Sequence, residues 1–186
     1  MPAARPQTRS LKARALQWLA QREQSRVELR RKLLRQARAE SAGAADPDEA
    51  GEAHEEHAVE QVDAVLDWLE SNGYLSAERF VESRVNARVA RYGNLRIRQE
   101  LQHHQLGVSS ELAQTLGTSE LDRARAVRAR RFPEPPRDAA ERARQARFLI
   151  GRGFSSDAVR AALLGPGAPG CDEDDSPVRR LRRPIG

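Results

Sequence analysis

Arginines recur at helical spacing along the chain and are the residues best suited to bind a partner. Arg84, Arg88 and Arg91 are separated by four and three positions, which places them on one stripe of a helix. Guanidinium groups bind phosphates and carboxylates through paired hydrogen bonds. The pattern predicts a basic face that meets nucleic-acid phosphates or acidic protein surfaces, with affinity that falls as salt rises. The predicted members of this face are Arg84, Arg88, Arg96, Arg98, Arg30, Arg31, Lys32, Arg144, Arg147 and Arg152.

The first four of these residues group on two successive predicted helices in the middle of the chain. We therefore expect Arg84, Arg88, Arg96 and Arg98 to be central to binding. For any single arginine, a solvated helix face is an equally good interpretation. The stripe as a whole carries the prediction because scattered surface charges rarely keep helical spacing.

The other residues that could do chemistry form no recognisable catalytic or metal-binding set. His54 and His57 in "HEEH" lack the spacing of a zinc protease, and the adjacent His103 and His104 point to different helix faces. Cys171 is the single cysteine, which excludes a disulfide within one chain. No Ser-His-Asp set, Cys-His set or glycine-rich phosphate loop is visible. We predict no enzyme activity, no cofactor and no metal.

Four aromatic residues could stack on bases, but a role in helix packing suits them better. They are Tyr74, Phe80, Tyr92 and Phe154. All lie near glycines or serines where two helices would meet, and a large ring fills the gap between short helices that bury little surface alone.

The joint "WLESNGYLSAERF" (68–80) shows how such helices meet. An aromatic residue and Leu close one helix, a glycine five positions later permits a left-handed backbone, and a serine caps the next helix. Related joints start at Trp18 and Phe148, and "QLGVSSEL" (105–112) is a fourth, with Gly107 as its glycine. Repetition of the joint predicts an array of short helices. The predicted cap residues are Ser25, Ser76, Asn94, Ser109 and Ser155.

Composition agrees with an all-α protein that has several small cores. The chain of 186 residues is 39% hydrophobic, 4% aromatic and 32% charged, without runs of alternating β-branched residues. Its net charge of +5 is unevenly distributed. Residues 1–38 contain eleven Lys or Arg against two acids, whereas residues 39–60 contain eight acids and no Lys or Arg. A basic body of this kind suggests a polyanionic or acidic partner. No apolar run is long enough to cross a membrane, and a reducing, cytoplasmic setting fits.

Nine predicted helices fall into three sets of three, with first helices near Ser10, Ser76 and Ser119. A period of about 45 residues, once an acidic insertion is set aside, is typical of helical repeats. The fold class is therefore all-α, with three tandem three-helix repeats that resemble helix-turn-helix units. The predicted divisions are a disordered tail (1–9), repeat 1 (10–75) with a flexible acidic insertion (about 39–57), repeat 2 (76–117), repeat 3 (118–164) and a disordered tail (165–186).

Four stretches resemble the RecX family of bacterial regulatory proteins. They are "REQSRVELRRKL" (22–33), "GYLSAERFVESRV" (73–85), "YGNLRIRQELQHHQLGV" (92–108) and "RFLIGRGFSSDAVRAAL" (147–163). The resemblance implies three trihelical repeats in an elongated, curved array. It also implies a cytoplasmic modulator that binds the RecA recombinase and its filament on single-stranded DNA, and restrains strand exchange, coprotease activity and ATP hydrolysis.

The sequence departs from the family pattern at three places. Asn94 stands where proline is frequent, Gln105 where lysine is common, and the acidic insertion is longer than expected. These changes affect how basic the binding face is more than they affect the fold.

We expect a monomer with weak binding to single-stranded or duplex DNA.

A helix-turn-helix regulator that binds DNA without RecA is the alternative function. "NLRIRQEL" (94–101) partly fits a recognition helix because Asn, Arg and Gln cluster near its start. A helical-repeat scaffold without RecA or DNA binding is a third interpretation. Inhibition of RecA ATPase, compared with duplex binding in the absence of RecA, separates them.

Overall fold

The structure is a computed structural model that describes residues 10–42 and 52–164. These two segments contain helices and no strand. The helices are α1 (Leu11–Gln21), α2 (Arg26–Ala42), α3 (Glu52–Ser71), α4 (Ala77–Arg88), α5 (Asn94–Gln102), α6 (Ser110–Arg131), α7 (Ala139–Gly151) and α8 (Ser156–Leu163). The all-α prediction is confirmed. The predicted tails at 1–9 and 165–186 lie outside the described residues.

Three separate clusters of buried apolar side chains hold these helices together. The first core lies between α1, α2 and α3, around Leu29, Leu33 and Leu66. The second lies between α4, α5 and the start of α6, with Phe80 at its centre. The third joins the rest of α6 to α7 and α8 around Phe154. Each cluster is small, as the low aromatic and hydrophobic content leads one to expect.

The predicted serine caps are confirmed. Ser25, Ser76, Ser109 and Ser155 each accept a hydrogen bond from the backbone N–H three residues later, at 3.1 to 3.3 Å. This bond satisfies one of the free N–H groups at the start of a helix. The glycines of two joints also behave as predicted, because Gly73 (φ 71°) and Gly153 (φ 81°) have the left-handed backbone conformation.

The prediction of a separate seventh helix near Ser119 is wrong. Residues 110–131 form one helix, α6, so the described segments contain eight helices rather than nine. The Ser119 hydroxyl donates to the Thr115 carbonyl at 2.8 Å, within the preceding turn, instead of capping a new helix. The predicted repeat boundary at 117/118 therefore lies inside a helix that contributes to two cores. The division of the chain at 75/76 and 117/118 stays a prediction.

Two further local predictions are wrong. Gly93, not Asn94, is the N-cap of α5, and the Asn94 side chain turns inward to the Leu116 carbonyl. In the joint before α6 the left-handed residue is Gln105 (φ 59°), whereas Gly107 has no positive φ. A side chain that has a buried partner elsewhere is unavailable as a cap, and sequence spacing does not reveal such a partner.

The acidic insertion predicted at about 39–57 is mostly helical where the structure describes it. Helix α2 continues to Ala42 and α3 begins at Glu52. Ala37 and Ala58 are buried between the two helices, and Arg38 forms an ion pair with Glu55. These contacts extend the α2–α3 hairpin beyond the apolar stripe seen in the sequence. Residues 43–51 lie outside the described segments.

Replacement of residues 43–51 by Gly-Ser-Gly-Ser is expected to leave the free energy of unfolding within about 1 kcal/mol of the parent value. Four residues are enough to join antiparallel helices, and each halving of a loop changes closure entropy by only about 0.6 kcal/mol. Urea unfolding followed by circular dichroism measures the effect. A loss of more than about 2 kcal/mol would show that this segment packs on the hairpin.

Candidate functional site

Seven side chains form an arginine-aromatic ladder that runs from the end of α4 to α7. Guanidinium groups lie over aromatic rings in succession, within the distance at which a cation is attracted to a ring face. The ladder bridges residues that pack on the second core and residues that pack on the third. Its members are Arg88, Tyr92, Arg152, Phe148, Phe132, Arg144 and Arg131.

The first half of the ladder centres on Tyr92, whose ring lies beside two guanidinium groups. The Arg88 guanidinium lies 5.8 Å and that of Arg152 5.6 Å from the centroid of this ring. Arg152 also lies 5.1 Å from the ring centroid of Phe148. Because Tyr92 follows α4 and Phe148 lies in α7, Arg152 connects the two parts of the molecule.

The second half centres on Phe132, the residue that ends α6. Its ring meets that of Phe148 edge-on, with centroids 5.4 Å apart and an interplanar angle of 86°. Arg144 and Arg131 lie over the Phe132 ring at 5.6 and 5.7 Å. Arginines already lie over these rings, so stacking of a base would require a guanidinium to move. The ladder therefore favours electrostatic binding of phosphates or carboxylates over base stacking.

Charge is distributed unevenly along the ladder. Arg88 is paired with Glu100, whose carboxylate accepts from Arg88 Nε at 2.9 Å and lies 3.5 Å from Arg84. This hydrogen bond raises the pKa of Arg88 above its ordinary value. By contrast, Arg131, Arg144 and Arg152 have no carboxylate partner among the described residues. The α6–α7 end consequently holds the ladder's uncompensated positive charge.

Backbone hydrogen bonds between residues 93–95 and 152–153, called the backbone joint, align the two halves of the ladder. The Gly93 N–H donates to the Arg152 carbonyl and the Leu95 N–H donates to the Gly153 carbonyl, both at 3.0 Å. The approach is so close that a Cβ atom on Gly93 would lie 2.3 Å from the Gly153 oxygen and from the Phe154 backbone. Only glycine fits at position 93 in this arrangement. The joint places Tyr92 beside Arg152 and so makes the ladder continuous.

Buried polar groups under the joint reinforce it. The Glu120 carboxylate, on α6, accepts from the Asn94 N–H at 2.9 Å and from the Ser155 hydroxyl at 2.8 Å. Arg123 donates to the Asn94 side-chain oxygen at 2.5 Å and to the Tyr92 carbonyl at 3.0 Å. Burial lowers the pKa of Arg123, and the Glu120 charge opposes that effect. A buried carboxylate with several donors fixes geometry because each partner would be left unsatisfied if it moved.

The link between the first and second cores is different in kind. Ser25 Oγ lies 2.7 Å from His104 Nδ1, and Arg79 forms an ion pair with Glu23. Burial, with Arg84 nearby, lowers the pKa of His104, which favours its neutral form. Side chains rather than backbone groups form these contacts, and none of them belongs to the ladder. The ladder lies entirely within the α4–α8 part of the molecule.

The predicted basic face is only partly assembled. Arg88, Arg144 and Arg152 belong to the ladder, and Arg84 touches it through Glu100. Arg96, Arg98 and Arg147 are exposed, and among the described residues no hydrogen bond, ion pair or ring contact joins their side chains to the ladder. Their role in binding stays a prediction.

An α-helix turns by about 100° per residue, so the three consecutive basic residues of α2 point in different directions. Arg30 turns to α3 and binds both oxygens of Asp63, at 2.7 and 2.9 Å. Lys32 turns to Gln24 and Glu28. Arg31 alone of the three is exposed. Arg30 and Arg31 line one groove together with Arg35 and Arg38, whereas Lys32 does not line it.

Sequence reasoning did not predict Phe132 and Phe148 as binding residues, and it assigned Tyr92 to helix packing rather than to base stacking. A signal was present for two contacts, because Arg88–Tyr92 and Phe148–Arg152 are pairs four residues apart. Arg131 and Phe132 are sequence neighbours. The contacts of Phe132 with Arg144 and Phe148 join the end of α6 to α7, and the contact of Arg152 with Tyr92 joins the end of α7 to the segment after α4, so these three have no local signature.

The described residues contain no group of three or more His, Cys, Asp or Glu side chains placed to hold a metal ion. Within the same residues, no helix has the length and apolar character that crossing a bilayer requires.

The helices and this surface define an all-α repeat protein with an arginine-rich face. The sequence model of "RecX, third three-helix domain" matches residues 118–163. Three curated relatives carry the name "Regulatory protein RecX". The protein of Ralstonia nicotianae is 45% identical over 91% of this chain and 95% of its own length. Those of Ralstonia pickettii and Leptothrix cholodnii are 47% and 46% identical, over 89% and 88% of this chain and 92% of each relative. The chain belongs to the RecX family of regulatory proteins.

Proposed function

We propose that this protein binds RecA and the RecA filament on single-stranded DNA, and that binding restrains ATP hydrolysis, strand exchange and coprotease activity. Membership of a family of regulatory proteins supports a protein partner. In this proposal the protein acts in the cytoplasm as a monomer, without catalysis of its own, and contacts with DNA are weak.

The ladder is the observation that carries the proposal. A filament of protein on nucleic acid presents both carboxylates and phosphates, and arginine binds either through two parallel hydrogen bonds. Because the α6–α7 end lacks carboxylate partners within the described residues, its guanidinium groups can bind a partner without first breaking an ion pair. We therefore place Arg131, Arg144 and Arg152 at the centre of the interface, with Arg84 and Arg88 beside them.

Replacement of Arg131, Arg144 and Arg152 together by Gln is expected to raise the concentration for half-inhibition of RecA ATPase by at least about threefold. Each exposed charge contact contributes about 0.2–1 kcal/mol, so the effect of three becomes measurable where a single change is not. The salt dependence of inhibition should also become flatter. Single-stranded-DNA-dependent ATP hydrolysis by RecA is the assay.

The matched control replaces Arg22, Arg125 and Arg160 by Gln. Each of these residues is paired with an acid, and none lines the groove that contains Arg131 and Arg144. The control removes the same charge but should inhibit like the parent. Equal inhibition by both triple variants would exclude the ladder as the interface. Equal losses in inhibition and in DNA binding without RecA would instead favour a protein that acts through DNA.

A further inference from the structure

An apolar groove with an acidic rim, in contrast to the basic ladder, lies between α4, the 106–109 linker and the start of α6. Its volume is about 460 Å³. Val81, Leu106 and Leu112 provide an apolar lining, of which Val81 is buried and the two leucines are half-buried. A groove of this size accommodates a few side chains of a peptide.

The rim of the groove is acidic, although the chain as a whole is basic. Glu78, Glu82 and Glu111 line it and are exposed. None of the three forms an ion pair with a described residue, whereas other carboxylates such as Glu55 and Glu100 are paired with arginine. Glu78 accepts a hydrogen bond from the Ser76 hydroxyl at 2.9 Å. An apolar groove with an uncompensated acidic rim fits a segment that is both basic and apolar.

We propose that this groove binds the chain's own segment 178–185, "VRRLRRPI". The segment contains four arginines, matching an acidic rim, and three larger apolar residues, Val178, Leu181 and Ile185, matching an apolar lining. Because none of the three rim glutamates forms an ion pair with a described arginine, the segment would supply the pairing charge. Docking would place a regulatory contact on the second core, away from the ladder residues of α7.

The chain between Leu164 and the segment is long enough. Residues 165–177 are thirteen residues, which span up to roughly 45 Å when extended. Leu164 follows α8, which packs on α6. Helix α6 has 22 residues and is therefore about 33 Å long, and the groove lies at its N-terminal end. The connection thus exceeds the whole length of the helix that it must follow.

The test uses a fluorescent peptide of sequence PVRRLRRPIG, residues 177–186, and fluorescence anisotropy. In a tail variant of the full chain, Val178, Leu181 and Ile185 are replaced by Ser. The peptide is expected to bind this variant at least tenfold more tightly than it binds the parent. The reason is that a tethered segment competes at an effective concentration in the millimolar range.

A second pair of variants, made in the tail variant, locates the site. Glu82→Lys with Glu111→Lys should weaken peptide binding at least tenfold. Glu56→Lys with Glu60→Lys makes the same change in charge on α3, at exposed acids outside the groove, and should leave binding unchanged. Circular dichroism confirms that all variants are folded.

Each other outcome overturns the proposal. Equal binding by the two lysine pairs would show that the groove is not the site. Equal binding by parent and tail variant, if still sensitive to Glu82 and Glu111, would assign the groove to a basic segment of another protein. Self-association of the parent that disappears in the tail variant, measured by sedimentation, would assign it to a second copy of the chain. None of these measurements involves RecA, so they are independent of the proposed function.

Discussion

Replacement of Gly93 by Ala is expected to destabilise the protein by about 3 kcal/mol or more and to separate the second and third cores. The added Cβ would lie 2.3 Å from the Gly153 carbonyl oxygen, the Phe154 nitrogen and the Phe154 Cα. These are backbone atoms, which cannot rotate away as the end of a side chain does. Overpacking of a core typically costs about 1–3 kcal/mol, and a backbone overlap belongs at the upper end of that range or beyond it.

The same change should also affect function. If the joint opens, the Gly93–Arg152 and Leu95–Gly153 hydrogen bonds are lost and Arg152 moves away from Tyr92. We expect urea unfolding to become less cooperative. We also expect the proposed inhibition of RecA to weaken even under conditions in which the helices persist. Circular dichroism and the ATPase assay together measure the two effects.

Gly117→Ala is the matched control, with an expected effect of opposite sign. Gly117 lies in the interior of α6, and a Cβ there would meet no atom within 4 Å. Alanine is a better helix former than glycine by about 0.8–1.0 kcal/mol, so this variant should be slightly more stable than the parent. If Gly93→Ala were as well tolerated as Gly117→Ala, the close backbone contact between the two joints would not exist in solution.

The helices and their caps could be predicted from sequence because they depend on neighbours along the chain. Ser76 and Ser155 precede apolar stripes with acids in the first turn, and Gly73 and Gly153 follow closing aromatics. These are local signals with local causes. The sequence predicted a break near Gly117-Thr118-Ser119, but α6 is continuous there. Its two ends bury side chains in different cores, and this tertiary packing is not visible in local sequence.

The candidate site was predictable only in part, for the same reason. The stripe of arginines at helical spacing includes Arg88, whose ring partner lies four residues away. The contacts of Arg152 with Tyr92 and of Arg144 with Phe132 join distant segments. Sequence spacing does not show which arginines are neutralised either. Glu100 lies twelve residues from Arg88, and its ion pair depends on how α5 packs against α4.

Replacement of Phe154 by Ala is expected to cost about 3–5 kcal/mol, the range found for large aromatic residues removed from a core. Phe154 is 1% exposed and packs in the third core with Leu149 and Val159. It is also the residue whose backbone meets Gly93 across the joint. The cavity would therefore weaken both the third core and its attachment to the second. Urea unfolding monitored by circular dichroism is the measurement.

Phe148→Ala separates this structural role from the functional one. Phe148 is half-buried and belongs to the ladder, between Phe132 and Arg152. Its removal should cost less, about 1–2 kcal/mol, because the neighbouring groups already contact solvent. It should weaken RecA inhibition more than that loss of stability accounts for. Unchanged stability in Phe154→Ala, with a fall in affinity for single-stranded DNA, would instead assign Phe154 to base stacking. Phe154→Ala thus tests the packing of the third core, and Phe148→Ala, six residues away, tests the ladder on its surface.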